Sequence, residues 1–136
     1  MRILKESFQD VEAYLRGSDL ISKIVEEFGD DFSLYNEEVT NFVKSEVENQ
    51  FDDTDVKVEK VVVCKVVGED IDLISSDHYV INYNGTYYDY TAQEFNDSFN
   101  GLIKLTSIPV VQNVIHSDNQ LNDKLSTIKG YVLLGY

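Results

Sequence analysis

His78-Tyr79-Val80-Ile81-Asn82-Tyr83, then Asn84-Gly85, then Thr86-Tyr87-Tyr88-Asp89-Tyr90 is the stretch on which the fold turns. Two runs of β-branched and aromatic residues flank an Asn-Gly pair. Both central positions of a tight two-residue turn need positive φ, and Asn-Gly meets that need at little steric cost. The spacing therefore predicts a β-hairpin and fixes its register. Tyr83 should face Thr86, Asn82 Tyr87, Val80 Asp89, and His78 Thr91. One face then carries His78, Val80 and Asn82 with Tyr87, Asp89 and Thr91. The other carries Tyr79, Tyr83, Tyr88 and Tyr90.

Upstream of the hairpin, Val56, Val58, Val62, Cys64 and Val66 alternate with Asp55, Lys57, Glu59, Val61, Val63 and Lys65, and Lys60 interrupts the apolar side. This period of two, in a β-branched run, reads as a strand. Gly68-Glu69-Asp70-Ile71-Asp72 should open a polar loop. If the strand pairs with the one after it, Cys64 should lie near Val80, diagonal to His78.

Earlier still the period is 3.6. A first helix is expected over about Ile3 to Arg16, with Leu4, Phe8, Val11 and Leu15 on one stripe and Gly17 as its stop. A second, capped by Ser18, should run from Asp19 to Phe28 with Leu20, Ile21, Ile24 and Val25 inward. A third, capped by Asn36, should run from Glu37 to Phe51 with Val39, Phe42, Val43, Val47 and Phe51 inward. Asp52-Asp53-Thr54-Asp55 reads as an exposed acidic turn.

After the hairpin, Thr91-Ala92-Gln93-Glu94 has the form of a capping box opening a short helix to about Phe99, ended by Gly101. Leu102 to Leu105 is a candidate strand. Leu121, Leu125 and Ile128 fit a helix, and Tyr131 to Leu134 a last strand. With helices first and strands after, residues 1–136 read as a single α+β domain: N-terminal helices packed on an antiparallel sheet centred on the Asn84-Gly85 hairpin.

Composition narrows the function classes. Of 136 residues, 43% are hydrophobic, enough for a core. Twenty-five acids oppose eleven bases, a net charge of −14. That charge disfavours direct nucleic-acid binding and an anionic membrane surface as partners. No apolar run approaches the ~20 residues of a spanning helix. The polar start, Met1-Arg2-Ile3-Leu4-Lys5-Glu6, predicts no signal peptide. The single cysteine, Cys64, allows no internal disulfide and fits a reducing cytoplasm. His78, His116 and Cys64 lack zinc spacing. The carboxylate runs 52–55 and 69–72 lack the glycine and terminal glutamate of a calcium loop. No metal and no cofactor is therefore expected.

The hairpin register makes His78 and Asp89 diagonal neighbours on one face. An aspartate there can take the imidazole N–H and fix its tautomer, which is what a catalytic histidine needs from its orienting group.

Asp77-His78 through Tyr88-Asp89-Tyr90-Thr91-Ala92-Gln93-Glu94-Phe95 resembles a signature of small papain-like proteins, a superfamily that includes transglutaminase-like and NlpC-like members. In that pattern a histidine opens a strand, a short hairpin follows, and an aspartate precedes a helix start. The resemblance implies a papain-like scaffold, base and orienter roles for His78 and Asp89, and a bacterial or phage source. The family also places a nucleophilic cysteine at a helix N-terminus, where the thiol pKa is lowered. The helix starts here carry Ser18, Ser33 and Asn36 instead, and Asn36 is a candidate replacement.

Three functions stay open. The first is a non-catalytic acidic module that binds another protein, structural or host-modulating, in a bacterial or phage-infected cytoplasm or a virion. Tyr79, Tyr83, Tyr88 and Tyr90 are its candidate contact face. The second is a thiol hydrolase or acyltransferase using Cys64, His78 and Asp89. The third is an acidic nucleic-acid mimic that blocks a basic groove.

Overall fold

A computed structural model describes residues 8–51, 55–67, 70–98, 108, 110–116 and 132–133. The start of the first helix, the acidic turn at 52–54, the 68–69 turn, the candidate strand 102–105 and the helix expected around 121–128 lie outside these residues. Three helices come first: α1 (Phe8–Arg16), α2 (Ser18–Phe28) and α3 (Asn36–Gln50), with a 3-10 turn at Phe32–Leu34. Strands follow: β1 (Val56–Val67), β2 (Asp70–Tyr83), β3 (Thr86–Tyr88), β4 (Val110–Asn113), β5 (Ile115–His116) and β6 (Val132–Leu133). A second 3-10 segment, Ala92–Ser98, follows β3. The chain is α+β, with its N-terminal helices packed on an antiparallel sheet.

The hairpin forms as its sequence dictates. Asn84 has φ 55° and Gly85 φ 87°. Tyr83 pairs with Thr86, Asn82 with Tyr87 and Ile81 with Tyr88. The Asn82 side chain adds a bond, its Oδ1 accepting the Gly85 N–H at 2.9 Å. β3 then stops at Tyr88, so the expected ladder pairs of Val80 with Asp89 and His78 with Thr91 do not form.

Strand order is β5-β1-β2-β3-β4-β6. β4 and β5 are separated only by Val114, yet β4 pairs with β3 and β5 pairs with β1. One bent stretch therefore bridges two strands on opposite sides of β2 and rolls the sheet around itself. The polar loop expected at 68–72 is shorter than its composition implied, since β2 already begins at Asp70.

The roll separates two cores. On the outer face Val56, Ile81, Tyr83, Tyr88 and Tyr90 pack under the helices, against Val11, Leu15, Leu20, Ile24, Val39, Val43 and Val47. Inside the roll Val61, Val63, Val80 and Val111 pack with Ala92 and Phe95. The period-two reading of β1 holds: Val56 and Val58 serve one core, Val61 and Val63 the other.

Helix ends follow simple rules with one substitution. Gly17 alone separates α1 from α2, and a Cβ there would sit 3.0 Å from the Ala13 carbonyl. Gly17, not Ser18, is the N-cap of α2. Gly29, at φ 87°, closes α2 with its N–H on the Val25 carbonyl at 2.7 Å. The Tyr90 hydroxyl donates to the Leu15 carbonyl at 2.6 Å, fastening the end of the hairpin to the last turn of α1.

Gly85→Val forces a β-branched side chain into positive φ, and the expected cost is about 1–2 kcal/mol. The readout is the urea midpoint. An unchanged midpoint would mean that the turn does not hold the register.

Candidate functional site

The site is built where β3 leaves the sheet. A two-residue turn makes Tyr83 and Thr86 a hydrogen-bonded pair, so alternate residues Tyr83, Ile81 and Tyr79 present N–H and C=O toward β3. β3 serves Tyr83 and Ile81 but not Tyr79. The Asn36 carboxamide takes the vacant pairing position. Its Oδ1 accepts the Tyr79 N–H at 2.7 Å, and its Nδ2 donates to the Tyr79 carbonyl at 2.9 Å. Asn36 thus opens α3 with its backbone and extends the sheet with its side chain. It is not the N-cap; Tyr35 holds that position.

The second Nδ2 proton of Asn36 goes to Thr91 Oγ1 at 2.9 Å. Thr91 passes its own hydroxyl proton to Glu94 Oε2 at 3.0 Å. The Thr91 N–H goes to Asp89 Oδ1 at 3.1 Å, and Asp89 Oδ2 meets His78 Nε2 at 2.9 Å. The other ring nitrogen of His78, Nδ1, lies 3.9 Å from Glu94 Oε2, which closes a ring of polar groups. The capping box is rewired: Glu94 binds the Thr91 hydroxyl, and Asp89 holds the Thr91 N–H. The segment that follows is 3-10 rather than α-helical.

His78 lies opposite Val61 on β1 and packs edge-on against Phe95, with ring centroids 4.9 Å apart. Its side chain is 2% exposed and that of Asp89 is 0% exposed. Burial pulls the His78 pKa down more than any other single effect. The charge and hydrogen bond of Asp89, with the charge of Glu94, together outweigh burial and raise it above the usual histidine value. Glu94, 27% exposed, is also raised. Burial is the largest cause and the Asp89 charge adds to it, while His78 and the Thr91 hydroxyl oppose it.

The sequence-predicted residues fare differently. His78 and Asp89 meet as expected, though Asp89 reaches the imidazole from just past the end of β3 rather than from the ladder. Cys64 does not join them. It pairs with Leu73, because β2 carries extra residues between Val61/His78 and Cys64/Leu73 that shift the register twice. Cys64 lies three positions beyond Val61 along β1, roughly 10 Å of strand. Its thiol is buried. The tyrosine contact face is corrected too. Tyr83, Tyr88 and Tyr90 do share a face, but the helices cover it, and Tyr79 is half-buried. Sequence reasoning missed Asn36 as a strand mimic and missed Glu94 and Phe95 as neighbours of His78, while Thr91, expected opposite His78, is linked to it through Asp89. The first signal was hidden because a helix cap and a sheet clamp both begin with Asn before an amphipathic helix.

Among the described residues, no group of three or more His, Cys, Asp or Glu is placed to hold a metal ion. No described helix is long and apolar enough to cross a membrane. Comparison of the chain with protein-family models, curated proteins and solved structures finds no match.

Two outcomes follow from this geometry. Asn36→Ala takes its side-chain partner from the Tyr79 N–H and leaves the Tyr79 carbonyl only the Thr40 hydroxyl, 3.4 Å away, and urea denaturation should register a loss of ~2 kcal/mol. A loss near zero would mean that water replaces the carboxamide. Because the folded His78 pKa lies above 6.5, the native state holds an extra proton over a window that opens there. His78 contributes stability that is full below that value and is lost as pH rises through the folded pKa. The urea midpoint should therefore fall with pH across this window, and His78→Gln should remove that part of the slope. Equal slopes in both proteins would contradict the assigned pair.

Proposed function

We propose that the chain is a non-catalytic, acidic protein-binding module in which His78 and Asp89 form a buried structural tie. The observation that carries this reading is the closure of the pair. His78 and Asp89 are 2% and 0% exposed, and both ring nitrogens face carboxylates. A base that must collect a proton from a nucleophile needs one ring nitrogen directed at that nucleophile. Here Nε2 is taken by Asp89 and Nδ1 faces Glu94.

The thiol-enzyme alternative loses support from the register, which sets Cys64 opposite Leu73 rather than beside His78. The papain-like resemblance belongs to the same proposal. Asn36 is the first residue of α3, and its side chain bonds the backbone of Tyr79, next to His78. That is the kind of place where the family pattern puts its cysteine, so an amide in a thiol's position fits a scaffold that binds rather than cleaves. The single thiol favours a reducing setting, a bacterial or phage-infected cytoplasm or a virion.

The test pairs two measurements on the native protein. Iodoacetamide should modify Cys64 only after denaturant is added, as read by intact mass. Peptide, amide and ester substrates should show no turnover that depends on His78. Rapid alkylation at neutral pH, together with hydrolysis abolished in His78→Gln, would overturn the proposal and restore the enzyme.

A further inference from the structure

If the tyrosine face lies under the helices, a binding module must present its contact surface elsewhere. Among the described residues, the large hydrophobic side chains left exposed are Leu34, at 71%, and Tyr35, at 46%. They are adjacent, at the corner between the first 3-10 turn and α3. The corner is held from below. Phe32 of the same turn is buried, and the Tyr35 ring stacks on Phe28 at 6.4 Å. Phe28 in turn meets Phe42 of α3 edge-on at 5.6 Å. An aromatic side chain braced in this way loses little conformational entropy on binding, which is the property of an interface anchor.

The stretch of chain that carries the corner is one-signed in charge. Between Lys23 and Lys44 the chain carries Glu26, Glu27, Asp30, Asp31, Glu37 and Glu38 and no lysine or arginine. All six are exposed, and none forms an ion pair with a described residue. Glu37 and Glu38 suit the N-terminus of α3. Glu26 and Glu27 do the reverse. They lie in the last turn of α2, which has no basic residue, where the helix dipole disfavours anions. The fold gains nothing locally from that pair, whereas a cation brought alongside would relieve it.

We infer that the Leu34–Tyr35 corner is a docking surface for a basic protein segment, one that sets an apolar side chain against Leu34 and Tyr35 and Lys or Arg beside the surrounding carboxylates. This rests on the binding-module reading and gives it a place and a partner class. Complementarity selects the occupant. A nucleic acid or an anionic membrane meets like charge, and so does a second copy bringing the same corner. The Tyr35 ring adds a cation–π surface suited to Arg.

The probe is a short fluorescein-labelled peptide with Lys/Arg flanks around a central Leu-Phe pair, followed by anisotropy at low and high salt. Leu34→Ser with Tyr35→Ser should weaken binding about tenfold, as loss of an interface anchor does. Near-ultraviolet circular dichroism checks that the fold is intact. Asp30→Asn, Asp31→Asn, Glu37→Gln and Glu38→Gln together should weaken binding and flatten its salt dependence. Neutralising four carboxylates elsewhere, Asp10, Asp19, Glu48 and Asp55, should change binding by no more than about twofold if the effect is local.

Equal weakening by the distant set would mean bulk attraction to an acidic protein and would overturn the inference. So would equal binding of a peptide with Ser-Ser at its centre, or self-association that disappears in the Leu34→Ser/Tyr35→Ser protein. The two readings fail separately. A protein partner whose binding survives those two substitutions removes this surface and leaves the module. Hydrolysis that depends on His78 removes the module itself.

Discussion

The two hydrogen bonds between the Asn36 carboxamide and the peptide groups of Tyr79 are the constraint on which the rest of this architecture depends. A strand cannot leave a sheet without orphaning the row of N–H and C=O groups it served, and a buried orphan is costly. Here β3 leaves after Tyr88, and a side chain from the helical layer takes over its next pairing position. This exchange releases Asp89 from the ladder to reach His78. It also fixes the start of α3 against β2, so helix layer, sheet and buried polar ring share one hinge point. The remaining Nδ2 proton carries the connection on to Thr91, and from there to Asp89, Glu94 and His78.

A buried polar network of this kind specifies a unique arrangement only if its members are satisfied, since a partly satisfied one is worse than an apolar core. In this ring Thr91 both accepts and donates, and Asp89 uses both oxygens. The amide of Asn36 has one assignment consistent with all three of its contacts. Burial of a charged pair is weak grounds for added stability but a recognised means of selecting one packing over another. The ring joins Asn36 of α3 and Tyr79 of β2 to His78, which packs on Phe95 of the enclosed core.

Much of this was legible in the residues, in proportion to how local the determining physics is. Asn84-Gly85 specified its own turn, and the turn specified which side chains share a face. The stripes of α2 and α3 named the residues that now line the core. Non-local facts were not legible. Period alone put Tyr83, Tyr88 and Tyr90 on one face but carried no sign of which face the helices would cover. The register of Cys64 failed because bulges in β2 have no dependable signal in a β-branched run. The bent stretch from Val110 to His116 was missed because its pairing with both β3 and β1 depends on the sheet already being rolled. Asn36 was misread because capping and clamping make the same demand on sequence. The burial of His78 and Asp89 and the exposure of Leu34 and Tyr35 are complementary outcomes: the hairpin residues that looked reactive are enclosed, and the outward apolar side chains sit in a stretch of chain whose charged residues are all acids.

The most direct test of this account is proton NMR of the native protein in water, with the imidazole nitrogens of His78 assigned by long-range nitrogen correlation. A sealed ring predicts a downfield Nε2–H resonance that persists against solvent exchange and shifts when Asp89 is replaced by Asn. A rapidly exchanging imidazole with its proton on Nδ1 would contradict the account, because the His78–Asp89 pair would then be open to solvent and available for chemistry.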